Sequence, residues 1–272
     1  MLKQLLLFVS GRAWVRKLAQ QSFALPGVGP MLRHSAERIL PRGERIWVTI
    51  AKGPGAGLSL KIEPYWEPGY LRGSPEFGVT EALIEHLSEG DCFYDIGAHI
   101  GYYSLIAARR VGPGGHVVAV EPDPDNVQVM RENVIKNRFE NVDFVTAAVW
   151  NTVGSMSFEK GADTPSRMAG KIITDGSSPQ GNVICCQAVT VDHLSASHRP
   201  PDAVKVDVEG GEIQVLEGAR ETLSCRRPFF LIEIHSMHNE TAVREFLKPF
   251  GYTVWAMPTE DSKLHLCCEH RS

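Results

Sequence analysis

A chain of 272 residues with 43% hydrophobic and 22% charged residues can bury a full core as one large domain, and its composition excludes collagen-like and disordered classes. The formal net charge is −4, but the first 50 residues carry eight Lys/Arg against two Asp/Glu and the remaining 222 carry 20 against 30. A basic arm therefore precedes an acidic body, which argues against tracking along nucleic acid, where clustered Lys and Arg supply the affinity.

The N-terminus, MLKQLLLFVSGRAWVRKLAQ, has a five-residue apolar run before Arg12, too short for a signal-peptide core or a membrane span. Leu2, Leu5, Leu6, Val9 and Ala13 recur at helical spacing, with Lys3, Arg12, Arg16 and Lys17 outside that set. This basic amphipathic pattern suits peripheral contact with an anionic membrane surface, or packing on the chain's own domain. Residues 1–44 are read as an arm and 45–272 as one domain. RIWVTIAKG and GLSLKIEP, joined by a glycine-rich turn, predict a hairpin over 45–64.

A helix is expected from about Thr80 to Leu87, and then strands and helices alternate: CFYDIG, helix 101–110, HVVAVE, helix 124–137, VDFVTAAV. That rhythm predicts a mostly parallel sheet with helices on both faces. Between 151 and 201 it breaks into two short strands around a Gly/Ser/Asp/Pro-rich stretch, an insertion of the kind that covers a ligand. It resumes with AVKVDVEG, helix 212–224, FFLIEIHS, helix 240–249 and two closing strands. Six cysteines, including the adjacent pairs Cys185-Cys186 and Cys267-Cys268, form no CxxC motif. Neighbours on a strand point to opposite faces, so buried reduced thiols and a cytoplasmic setting are expected.

FYDIGAHIGYYSL has the shape of a nucleotide-binding turn, yet where a dinucleotide fingerprint wants G-x-G-x-x-G it reads Gly97-Ala98-His99-Ile100-Gly101-Tyr102. The glycine that admits a pyrophosphate is missing. Asp95 would repel a phosphate but accept a protonated amine, directly or through water. Twenty residues beyond Gly101, Glu121 is placed to accept two ribose hydroxyls. Adenosine without pyrophosphate and with a zwitterionic tail is the chemistry of S-adenosylmethionine.

VKVDVEGGEIQVLEGA places Lys205, Asp207 and Glu209 on one strand face at period two, and FFLIEIHS ends with Glu233 and His235 on one face. Such charge is tolerable only where strands emerge at the ligand-binding edge of the sheet.

FYDIGAHIG, VEPDPDNVQVMRENVIKN, AVTVDHL, VKVDVEGGEIQVLEGA and RPFFLIEIH, in this order, resemble the FkbM-type S-adenosylmethionine-dependent methyltransferases over about residues 57 to 257. The resemblance implies a class I methyltransferase, Rossmann-like fold with a seven-stranded sheet and a reversed last strand, and transfer to an oxygen of a sugar, glycan or polyketide-type metabolite. It implies that Asp95, Gly97, Ala98 and Gly101 form the cofactor turn, that Glu121 holds the ribose, that Asn126 starts the adjoining helix and that Ala148 lines the adenine pocket. His99, where Asn is common, and Gly211, where Ala or Ser is usual, are departures; His99 faces either the methionyl tail or the acceptor.

Transfer to a hydroxyl calls for a base, and Asp207 or His235 is expected in that role, with Glu209 and Glu233 orienting base or acceptor. Ligand spacing does not support a metal bridging Asp207 and Glu209. Acceptor contacts are expected in Thr164–Met168 and Tyr65–Glu76. The rival readings are a nicotinamide-dependent oxidoreductase, opposed by the missing glycines, and a non-catalytic cofactor-binding module. Nucleic-acid methylation lacks both a Pro-Cys nucleophile and an NPPY-like loop, and no heptad or swapped arm specifies an oligomer.

Overall fold

The computed structural model describes residues 44–64, 67, 69–70, 77–161, 170–174, 179, 181–257 and 263–270. The amphipathic N-terminal arm and the acceptor candidates Thr164–Met168 lie outside these residues, as does most of Tyr65–Glu76.

The hairpin pairs β1 (Ile46–Thr49) with β2 (Ser59–Ile62) in a two-stranded sheet of its own, shorter than the alternating pattern predicted. Leu60 and Ile62 are buried at period two. Amide side chains of a helix satisfy the free edge of β2: Asn137 Oδ1 accepts from the Ser59 amide at 2.8 Å and Asn133 Oδ1 from that of Lys61 at 2.7 Å.

The main sheet contains β3 (Cys92–Ile96), β4 (His116–Val120), β5 (Val142–Val145), β10 (Ala203–Val206), β11 (Phe229–Ile234), β12 (Tyr252–Met257) and β13 (Leu264–His270). Its order is β12-β13-β11-β10-β3-β4-β5, with β13 antiparallel to both neighbours, as the reversed last strand requires. Alternating side chains feed two cores. On one face Phe93, Val117 and Leu231 pack with α1 (Phe77–Glu85), α2 (Tyr102–Val111) and α3 (Pro124–Asn137). On the other, Tyr94, Val118 and Ile232 pack with α4 (Val191–Ser197), α5 (Glu212–Glu217), α6 (Arg220–Cys225) and α7 (Met237–Leu247). Burial on both sides explains the nearly unbroken apolar run of HVVAV. All six cysteines are free, and Cys267 and Cys268 enter opposite cores, as the period-two geometry demands.

Two expectations change. The single helix over 212–224 is two short ones, α5 and α6, interrupted at Gly218, which packs so closely that a side chain there would lie 2.4 Å from the Trp150 carbonyl oxygen. The insertion is richer than two strands: β6 (Ala148–Val149), β7 (Gly154–Glu159), β8 (Lys171–Ile172) and β9 (Val183–Val189) form a four-stranded sheet ordered β6-β9-β7-β8. Two-residue strands carry too little periodicity to be seen in sequence.

The chain runs outward from β3 to β5 in one direction and from β10 through β11 to the edge strand β12 in the other, with β13 inserted last between β11 and β12. The carboxyl ends of β3 and β10 therefore flank the crevice where open α/β sheets bind ligands.

Candidate active site

In register, Asp95 of β3 lies opposite Lys205 of β10, and Ile96 opposite Val206. The turns that follow are pressed together: a Cβ on Gly97, at φ +80°, would sit 1.8 Å from the Asp207 carbonyl oxygen. Gly101, at φ +84°, opens α2 where a Cβ would come 2.6 Å from Met130 Cγ. Both glycines are thus set by close approach of the protein to itself. His99 takes φ +50°, a left-handed conformation in which Asn, Asp and His are enriched among side-chain-bearing residues. His in place of Asn therefore keeps the backbone requirement.

The amides of this turn face inward. Gly97 and Ala98 both donate to Val120 O at 3.0 Å, Gly101 donates to Ala98 O at 2.8 Å, and His99 donates to Glu121 Oε2 at 2.9 Å. No cradle of free amides is left at these positions for a diphosphate, in contrast with a phosphate-binding loop.

A cavity of about 400 Å³ opens above the turn. Gly97, Ala98, His99, Glu121, Asn126 and Ala148 line it, as do Asp207 and Glu209. Glu121, 6% exposed, also accepts from the Asp123 amide at 3.0 Å and from Asn126 Nδ2 at 3.3 Å. A carboxylate has about four lone-pair positions, so this one retains capacity for a ribose diol. Burial, only partly offset by these donors, pushes its carboxyl up to about 7. A raised carboxyl pKa favours the protonated form on folding, so its contribution to stability is lost as pH rises from the unfolded value of 4.5 through 7. Hydroxyl donors favour the ionised form, which predicts that S-adenosylhomocysteine binds severalfold more tightly at pH 8 than at pH 6 by calorimetry. Glu121→Gln should weaken binding and flatten that dependence; an unchanged pH profile would remove Glu121 from the ribose site.

Asp95 and Gly101 shape the turn from behind. Asp95 is 1% exposed and absent from the cavity wall, with Oδ2 accepting from Ser104 Oγ at 2.6 Å. Its buried Oδ1 makes no hydrogen bond among the described residues. Burial, opposed by Lys205 and Ser104, raises its pKa.

The second cluster forms, though not on one strand face. β10 ends at Val206, and Glu209 takes φ +52° on the turn that follows. Lys205, 1% exposed, holds Asp207 Oδ2 at 3.0 Å and lies 4.6 Å from the Tyr103 ring centroid. Neither Glu233, which is buried, nor His235, which is partly exposed, lines the cavity. His235 Nε2 is 3.4 Å from Glu209, 3.5 Å from Glu233 and 3.8 Å from Asp207, while Nδ1 meets Glu212 Oε1 at 2.6 Å. Burial opposes a charge on this ring, but the partners Glu209, Glu212 and Glu233 override it and push its pKa up to about 12. Burial also works against Glu233, yet His235, His265 and Lys263 hold it ionised, far below the usual carboxylate range. Asp207 shifts the other way, raised by burial and by Glu233 against the pull of Lys205. Asp207, Glu233 and His235 also offer ligand atoms within 4.8 Å of one another, a set in which Lys205 and Lys263 pair with the two carboxylates.

Glu212 was missed by sequence reasoning. It is wholly buried and accepts from His235, the Gly210 amide and Asn239. Trp150 was missed too. It lines the cavity, and a Cβ on Gly211 would lie 2.4 Å from its ring, so the glycine that departs from the usual Ala or Ser makes room for an indole. The signal was present in Gly211 but had no partner until the chain folded.

Residues 95–254 match the family described as the Methyltransferase FkbM domain. The chain belongs to the FkbM methyltransferases. The enzyme is 30% identical over 188 residues to the hexuronic acid methyltransferase AglP of Haloferax volcanii, covering 64% of this chain and 68% of that one. A shorter match, 41% over 58 residues, covers 21% of this chain and 15% of the arsenite methyltransferase of Halobacterium salinarum. Among solved structures, an FkbM methyltransferase from Methylobacillus flagellatus superposes with a TM-score of 0.50 at 18% identity, covering 68% of this chain and 44% of that one. The enzyme is an S-adenosylmethionine-dependent methyltransferase of class I fold, which sets aside the oxidoreductase and the non-catalytic module. Among the described residues no helix is long and apolar enough to cross a membrane.

Proposed function

We propose that the enzyme methylates a hydroxyl oxygen of a sugar-type acceptor, with Asp207 as the general base. The observation that carries this reading is the place of Asp207: in the cavity wall, directly after β10, against the turn that follows β3. S-adenosylmethionine, when bound, supplies an electrophilic methyl group, and Gly97, Ala98, His99, Glu121, Asn126 and Ala148 are the residues to hold it. A poor nucleophile such as an alcohol must shed its proton during attack. Asp207 Oδ2 is engaged by Lys205; Oδ1, 3.8 Å from His235 Nε2, is the oxygen to take that proton, and the raised pKa makes Asp207 a stronger base than an ordinary carboxylate. His235 is unsuited to this step because it lies outside the wall and already holds a proton against three glutamates. It serves with Glu233 and Glu212 to keep the turn bearing Asp207 and Glu209 in place.

The relative that acts on hexuronic acid supports a sugar acid as acceptor, and Lys171, in the cavity wall and 4.0 Å from Glu159, is the cation offered to its carboxylate. The test is turnover of a methyl hexuronide against the matching neutral methyl hexoside. S-adenosylhomocysteine release and an alkali-stable methyl ether are expected with the hexuronide. An alkali-labile methyl ester would show that the carboxylate is the acceptor, which needs no base, and would overturn the role given to Asp207.

A further inference from the structure

The methyl donor carries an α-ammonium group, and a buried cation requires a carboxylate that the protein has not already engaged. Asp95 keeps a buried Oδ1 without a hydrogen bond among the described residues, but it does not line the cavity, and its Oδ2 accepts from Ser104. Both oxygens of Glu121 accept N–H donors. Lys205 holds Asp207 Oδ2 while Oδ1 is assigned to the acceptor's proton, and Glu209 faces His235.

Glu67 is different. It lines the cavity beside the turn, with its side chain 7% exposed. Its Oε2 accepts from the Glu63 amide at 2.7 Å, while its buried Oε1 makes no hydrogen bond among the described residues. Burial pushes the Glu67 carboxyl up to about 7 against the pull of the Glu63 amide and of Arg45, and His99 Nδ1 lies 3.7 Å from Oε1. Desolvation in the cleft and then Arg45 lower the pKa of the His99 ring, whose side chain is still 40% exposed, so it is a weak counter-charge for Glu67. An unsatisfied buried acceptor of this kind costs folding free energy unless a ligand meets it.

We infer that Glu67 Oε1 binds the α-ammonium group of the methyl donor, the role that Asp95 is too deeply buried to fill directly. The inference rests on the reading that this cavity holds the donor, and Glu121→Gln serves as the control for that reading.

Calorimetry with S-adenosylhomocysteine and with its des-amino analogue, in which hydrogen replaces the α-amine, tests it. Charge-assisted hydrogen bonds lead to an expected preference of about tenfold or more for the amine-bearing ligand in the wild type. In Glu67→Gln, S-adenosylhomocysteine should lose about that factor while the analogue stays within about twofold, so that the variant discriminates poorly between them. Equal losses for both ligands, no loss for either, or a raised acceptor KM with unchanged S-adenosylhomocysteine affinity would overturn the assignment. Equal binding of the two ligands by the wild type would overturn it without any variant. If Glu121→Gln leaves S-adenosylhomocysteine binding untouched, it is the placement of the donor that fails.

Discussion

Asp207→Asn is expected to lower turnover by about 10²–10⁴-fold, the range that a positioned general base contributes, while S-adenosylhomocysteine binding stays within a few fold. The amide keeps the size of the side chain and can still face Lys205, so the network around β10 persists while the proton acceptor is lost. A raised carboxyl pKa in the wild type, caused by burial and by Glu233, predicts that the acidic limb of kcat/KM lies above the usual carboxylate range. His235→Gln separates the two base candidates. It should reduce activity by loosening Glu209 and Glu212 but leave the position of that acidic limb near its wild-type value, because the titrating group remains Asp207. Full activity in Asp207→Asn, or an acidic limb that vanishes in His235→Gln, would reverse the assignment.

Gly97→Ala is expected to damage both the fold and the site. Its Cβ would need space 1.8 Å from the backbone oxygen of Asp207, at a φ of +80° that side-chain-bearing residues adopt only under strain. No flexible side chain can yield, because the obstacle is backbone at the end of a buried parallel strand. Separating the turns after β3 and β10 should cost about 3 kcal/mol or more, a loss on the order of 10 °C in Tm for a domain of this size. Donor binding should fall with it, since the same turn carries the His99 amide that orients Glu121. Gly210→Ala provides the contrast. Its φ of +101° is strained for alanine as well, but a Cβ there meets nothing within 4 Å, so it should be the milder change. Equal melting temperatures for wild type and Gly97→Ala would contradict the packing described for the two turns.

How much was legible depended on the range over which each feature is decided. Asp95, the two spaced glycines and Glu121 lie within 27 residues, and strand-turn-helix geometry makes their meeting a local matter. The alternation of apolar strands and amphipathic helices carried the sheet for the same reason, and α3 begins and ends where read, at Pro124 and Asn137. The two-residue strands of the insertion were invisible because their pairing with β7 and β9 comes from contacts far along the chain. The period-two pattern of Lys205, Asp207 and Glu209 did signal convergence. It misplaced Glu209, because local alternation contains no information on where a strand ends and a left-handed turn begins.

The class of protein is legible in the chain: an acidic body, a parallel sheet, a glycine turn without the dinucleotide fingerprint, and charge gathered at two strand ends. These follow from residue type and spacing, which act over one or two turns of chain. Tertiary structure decided which charges face the ligand. It kept Asp95, Glu233 and His235 out of the cavity wall, left Asp207 and Glu209 in it, brought Glu67 and Trp150 to the cavity from outside both motifs, and surrounded His235 with glutamates. Burial and the distance between charges set proton affinity and access, and both are properties of the packed sheet.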